Sequence, residues 1–103
     1  MPTKITAIFD NPTDPDAFEA GYQAGHVALA RALPGLQRLE AARVWPKEDG
    51  SPTPAYRIID LYFTDYDGAS AAVTTAEASA WFTDVQRLAT GGFRAIFFNV
   101  EQS

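Results

Sequence analysis

Hydrophobic residues recur along this chain with two different periods. Between Lys4 and Asp10 they alternate, with Ile5, Ala7 and Phe9 on one side and Thr6 and Ile8 on the other, which predicts a strand. Asn11-Pro12 ends it. From Asp14 to Gly35 the period lengthens. At about 100° per residue, Phe18, Tyr22, Gly25, His26, Leu29, Ala32 and Leu33 share one broad stripe, and Glu19, Gln23, Val27 and Arg31 lie elsewhere. Thr13 and Asp14 are able to accept from the free N–H groups of a first turn, and Pro15 suits the first helical position. Asp16 adds negative charge where the helix dipole favours it. Pro34-Gly35 supplies the stop. A single amphipathic helix is predicted, and its stripe carries the only histidine.

Leu36 to Trp45 returns as a second extended segment, charged at Arg38, Glu40 and Arg43. Pro46 to Pro54, with its prolines and glycine, reads as an exposed loop. Tyr56 to Thr64 is the third strand, with Ile59, Leu61 and Phe63 on one face and Tyr56, Ile58, Asp60 and Tyr62 on the other. A helical region follows from about Tyr66, in two pieces, because Thr74-Thr75-Ala76-Glu77 has the Thr-x-x-Glu form of a capping box. Ala78, Trp81, Phe82, Val85 and Leu88 mark its buried side, and Gly91-Gly92 ends it. Phe93 to Glu101 is the last strand.

The order βαββαβ predicts an α+β, ferredoxin-like domain spanning residues 1–103, a four-stranded antiparallel sheet with its helices on one face. The sequences IIDLYF and AIFF place large apolar groups on both sides of that sheet, and helices on one face cannot cover both. About half a dozen side chains left in water would each forgo roughly 1.5–3 kcal/mol of burial. A second copy, packed sheet against sheet about a two-fold axis, removes that deficit, so a homodimer is expected.

Composition narrows the chemistry. The chain has 103 residues, 47% hydrophobic and 20% charged, so a folded domain with one core is expected. Its net charge of −5 repels a phosphate backbone, which argues against nucleic-acid binding. No apolar run approaches a membrane span, and MPTKITAIFD lacks the features of a signal peptide. With no cysteine there is neither a disulfide nor a thiolate metal site, and a cytoplasmic setting fits. One histidine makes a zinc or non-haem iron site a poor expectation, and no serine sits in a nucleophile-elbow context. A haem held by His26 alone is chemically allowed. No Gly-rich dinucleotide loop is present.

His26 is the group whose ordinary pKa lies near neutrality, and Tyr22 stands one turn before it on the same side. Two readings stay open: a half-buried histidine bonded to a backbone carbonyl, or a polar group facing a ligand pocket. Asp60 is a carboxylate among apolar neighbours. It is either a base raised by burial or a structural partner of Arg43, Arg57 or a backbone amide near the dimer seam, and alternation points it away from the helices. Trp81 and Phe82 are either core or the pocket wall opposite the first helix, and Trp45 either covers the pocket mouth or packs at the seam.

Taken in order, these residues resemble the EthD family, named after a component of ethyl tert-butyl ether degradation. The marks are Asn11-Pro12-Thr13-Asp14-Pro15 before the first helix and Phe18, Tyr22, His26 and Leu29 along it. Pro34-Gly35-Leu36, Tyr62-Phe63 and the closing Gly91-Gly92…Phe97-Phe98-Asn99-Val100-Glu101 complete them. The resemblance implies a dimeric α+β barrel with a pocket for a small, often aromatic or lactone-like ligand between sheet and helices. It carries the family histidine onto His26 and its preceding aromatic onto Tyr22. Where the family commonly has a tyrosine before that aromatic and a proline after the histidine, this chain has Gly21 and Ala28.

Two functions are then expected. In one, the protein is an accessory or carrier component of a catabolic or oxygenase pathway. It needs no cofactor and binds a small apolar or aromatic molecule beside His26, with Phe18, Leu29, Asp60, Trp81 and Phe82 as ligand-binding residues. In the alternative, it is a cofactor-independent isomerase or monooxygenase in which His26 is general acid or base and Tyr22 hydrogen-bonds the developing oxyanion. The sequence shows no evident carboxylate to orient His26, which favours the first.

Overall fold

The computed structural model describes residues 2–102. Eight elements follow one another: β1 Thr3–Phe9, α1 Pro15–Gln23, α2 His26–Arg31, β2 Arg38–Arg43, β3 Arg57–Phe63, α3 Tyr66–Ala72, α4 Ala76–Leu88 and β4 Phe93–Asn99. The strands form one sheet in the order β2-β3-β1-β4, with every neighbouring pair antiparallel. This is the expected ferredoxin-like arrangement, with the helices on one face.

Cross-strand register sorts the side chains into two sets, because residues directly opposite one another share a face. The rows Ile5–Leu61–Phe97, Ala7–Ile59–Ala95 and Phe9–Arg57–Phe93 face the helices. On them Phe18 and Tyr22 of α1, Ala30 of α2, Ala69 and Ala72 of α3, and Trp81, Val85 and Leu88 of α4 close a single core. The opposite face carries Lys4, Thr6, Ile8, Ile58, Asp60, Tyr62, Arg94, Ile96 and Phe98. It is mixed rather than uniformly oily, yet Ile96 is 49% exposed and Phe98 39%. The two edges of the sheet differ. Arg38, Glu40 and Arg43 are exposed along β2, whereas β4 exposes Ile96, Phe97 and Phe98 consecutively.

Local signals decide the helix ends. Asp14 caps α1 by accepting from the Ala17 N–H at 3.2 Å, and Pro15 follows as expected. The continuous helix expected up to Gly35 is instead broken. Gly25 takes φ 137°, a left-handed conformation open to glycine, and α2 starts at His26. The restart before α4 is as expected but one residue later in register. Thr75, not Thr74, is the cap, accepting from Ala78 N–H, while the Thr74 hydroxyl donates to the Ala71 carbonyl. Tyr56 also departs from expectation. It precedes β3, and its ring meets Phe18 edge-on at 5.1 Å, on the helix side of the sheet.

After α4 the chain passes close to the β1–α1 loop, where Asp10 N–H donates to Gly92 C=O at 3.0 Å. A Cβ on Gly91 would collide with the Asn11 carbonyl. Gly91→Ala must therefore push two loops apart, and a loss of about 3 kcal/mol is expected, the upper end for overpacking. Urea denaturation of the variant checks this; an unchanged midpoint would contradict the close approach.

Candidate functional site

His26 is completely buried, although it opens a short helix. The turn at Gly25 sets α2 against α4, and on α4 the residues Trp81 and Asp84 lie three apart, on one side of the helix. Both reach the imidazole. Asp84 Oδ2 lies 2.6 Å from Nδ1, and the Trp81 indole N–H donates to Nε2 at 3.1 Å. An acceptor on one nitrogen and a donor on the other select a single state: neutral imidazole with its proton on Nδ1. The rest of the ring is enclosed by Phe9, edge-on at 5.4 Å, and by Tyr22 at 5.5 Å.

The other oxygen of Asp84 is also occupied. Arg87 donates to it from Nε at 3.0 Å and Nη2 at 2.6 Å, and the same Nη2 reaches the Gly21 carbonyl at 3.2 Å. A Cβ at Gly21 would press on Arg87 Nη1. The glycine is therefore the space in which the guanidinium crosses from α4 to α1. Burial pushes the His26 pKa below its ordinary 6.5, outweighing the upward pull of the Asp84 carboxylate. Burial also acts to raise Asp84, but its bonds to Arg87 and His26 leave it below the usual carboxylate value.

A second polar cluster lies nearby. Glu19 accepts from Tyr56 Oη at 2.9 Å and from Arg57 at 3.1 Å (Nε) and 2.5 Å (Nη2). The Arg57 guanidinium holds the Glu19 carboxyl low and stacks over the Tyr22 ring at 4.3 Å. The Tyr22 hydroxyl is buried with no hydrogen-bond partner among the described residues, and desolvation raises its pKa above 10.

The residues singled out in the sequence thus divide. Phe18, Tyr22, His26 and Trp81 meet in the core, with Phe82 5.0 Å from Trp81 and Leu29 half-buried at its edge. Asp60 stands apart on the open face, as alternation indicated, but its partners are Thr6, whose hydroxyl donates at 2.6 Å, and Lys4 at 3.9 Å, rather than Arg43 or Arg57. The expected hollow beside His26 is filled by protein. Neither reading of its surroundings matches: the ring is wholly buried, and its partners are a carboxylate and an indole rather than a backbone carbonyl. Of the expected site residues, Phe18 lines a small cavity of about 210 Å³. A larger one, of about 560 Å³, opens under the β2–β3 loop beside Trp45 and Tyr56.

Asp84 is the orienting carboxylate that the sequence does not show, so its supposed absence no longer favours binding over catalysis, and Arg87 is likewise outside the expected set. Trp81-x-x-Asp84-x-x-Arg87 is the readable trace, a carboxylate on the buried stripe of α4 with a cation one turn on. Its connection to His26 needed the break at Gly25, which a single helix conceals.

Sheet order, helix placement and the buried aromatic shell define a ferredoxin-like α+β domain, and comparison with known proteins agrees. The backbone superposes on that of an ethyl tert-butyl ether degradation family protein from Bacillus halodurans with a TM-score of 0.87, at 25% identity and covering 97% of this chain and 99% of that one. It is similar also to a dimeric ferredoxin-like protein of unknown function from Thermobifida fusca, with a TM-score of 0.71 at 19% identity, covering 97% and 92%. In sequence it is 32% identical over 98 residues to an uncharacterized 11.0 kDa protein of the thcB-thcC intergenic region of Rhodococcus erythropolis, covering 95% of this chain and 94% of that protein. The EthD domain model matches residues 10–92, and the chain belongs to the EthD family.

The state of the imidazole is open to measurement. With a folded pKa below 6.5 and an ordinary one when unfolded, the unfolded chain binds the extra proton between the two values. Stability contributed by neutral His26 is then complete above about pH 6.5 and is lost as pH falls towards the folded pKa. Nitrogen-15 chemical shifts should show Nδ1 protonated and Nε2 bare at neutral pH. Asp84→Asn should lower the His26 pKa further and cost about 1.5–3 kcal/mol, the worth of a hydrogen bond to a charged group. A raised pKa in that variant would contradict the assignment.

Proposed function

We propose that this EthD-family chain is a small-molecule-binding component, an accessory or carrier for a catabolic or oxygenase pathway, and that it works as a cytoplasmic homodimer. The closure of His26 carries the reading. A general base needs a free lone pair within reach of substrate, and here Nε2 holds the Trp81 indole while the ring has no exposed surface. Turnover at His26 would require breaking that bond and parting α2 from α4 in every cycle. Binding requires neither.

The homodimer draws support from the open sheet face. Ile8, Ile58, Ile96 and Phe98 surround the satisfied group Lys4–Asp60–Thr6, so a second copy can cover the apolar rim without burying an unpaired charge. The dimeric description of the Thermobifida fusca neighbour points the same way. Sedimentation equilibrium at micromolar concentration should give twice the subunit mass, and Phe98→Glu should return it to one. Native mass spectra of protein purified under mild conditions should carry a small-molecule adduct. A monomeric mass together with adduct-free spectra would refute the reading.

A further inference from the structure

We propose that the cleft under the β2–β3 loop is the ligand site, and that it takes a small aromatic carboxylate. This rests on the ligand-binding reading above and adds where the ligand lies and what it is.

The cleft of about 560 Å³ is lined by residues that include Asn11, Arg43, Trp45, Lys47, Thr53 and Tyr56. That volume falls in the range of small-molecule pockets, roughly 300–1,000 Å³. Trp45 is 88% exposed, so a whole indole face is left to water at the rim. Such a face is a stacking surface for a flat apolar body.

Charge supplies the second half. In a chain of net charge −5, the lining of this cleft contains two cations and no carboxylate. Arg38, Arg57, Arg87 and Arg94 each have an acidic partner, respectively Glu40, Glu19, Asp84 and Asp10. Arg43 and Lys47 have none within ion-pair distance among the described residues. Arg43 instead donates to Tyr56 Oη at 3.1 Å and stacks over that ring at 5.2 Å. Because the Tyr56 proton is committed to Glu19, its lone pair receives the guanidinium and holds it in place. The remaining N–H groups of Arg43 keep the fork geometry that matches a carboxylate.

The walls are fixed in advance. Asn11 Nδ2 donates to the Thr53 carbonyl at 2.8 Å, Thr53 Oγ1 to that of Ala55 at 2.7 Å, and Tyr56 N–H to that of Phe9 at 2.7 Å. The end of the loop is thereby tied to β1 and the residues after it, and less ordering entropy is lost on binding.

Isothermal titration of the full chain with 2-naphthoate and with its uncharged analogue 2-naphthol tests this. Naphthoate should bind at least about tenfold more tightly, the equivalent of one charge-assisted contact. Arg43→Gln or Lys47→Gln should erase that margin and leave naphthol binding unchanged. Trp45→Ala should weaken both probes. These side chains lie at the surface, so melting temperatures should stay at the wild-type value. Equal affinity for the two probes overturns the proposal. So does naphthoate binding that ignores Arg43→Gln and Trp45→Ala but responds to Tyr22→Phe, which would leave ligand binding standing at another place. Trp45→Ala that halves the sedimenting mass without altering naphthoate affinity would make the loop a subunit contact and also overturn it. Absence of binding by either probe refutes the site, and the broader reading falls with it only if native mass spectra carry no adduct.

Discussion

The hydrogen bond between His26 and Asp84 is the constraint on which the helical layer depends. An imidazole with no exposed surface must have both nitrogens partnered, since a buried unsatisfied polar group costs about 1–3 kcal/mol. That requirement fixes more than one ring. It sets the height of α2 against α4 and directs the Trp81 indole inward. Asp84 then needs its own second partner, which brings Arg87 across to the Gly21 carbonyl of α1. Three helices are joined by a chain of bonds that begins at one histidine. An arrangement resembling a catalytic dyad, a base with its carboxylate, here serves the packing of a layer.

The sheet separates what the helices join. Its covered face is a dense row of Ile5, Ala7, Phe9, Ile59, Leu61 and Phe63, with Arg57 at its end paired to Glu19 of α1. The polar residues of the open face satisfy one another around Asp60. Among the described residues three cations lack an acidic partner: Arg31 on α2, and Arg43 and Lys47 together at the tip of the sheet, on β2 and the loop after it. The proposed ligand cleft thus lies at one end of the sheet, away from the histidine that ties the helices together.

How far the sequence could be read follows from the range of each interaction. Strand parity is local, and Ile5-Ala7-Phe9 and Ile59-Leu61-Phe63 fall on the covered face as their alternation requires. Caps are nearly as local, although two adjacent threonines left the start of α4 uncertain by one residue. The break at Gly25 was harder, because a glycine on a helical stripe also fits a continuous helix. His26 was visible as an unusual residue, but its partner lies 58 positions away on another helix. Periodicity cannot pair such residues. The same limit applied to Tyr56, which lies before β3 on the helix side, against its alternation, and whose contact with Glu19 no local pattern shows.

The contrast between the two margins of the sheet has its own consequence. On β2, arginines and a glutamate discourage a stray strand from adding to the ladder, whereas β4 exposes Ile96, Phe97 and Phe98 in a run and carries one charge, Arg94. A free subunit carrying that unguarded hem can template its own stacking into fibrillar aggregates. Pairing through the open face, as proposed above, would bury Ile96 and Phe98 and so remove the side chains that favour such stacking.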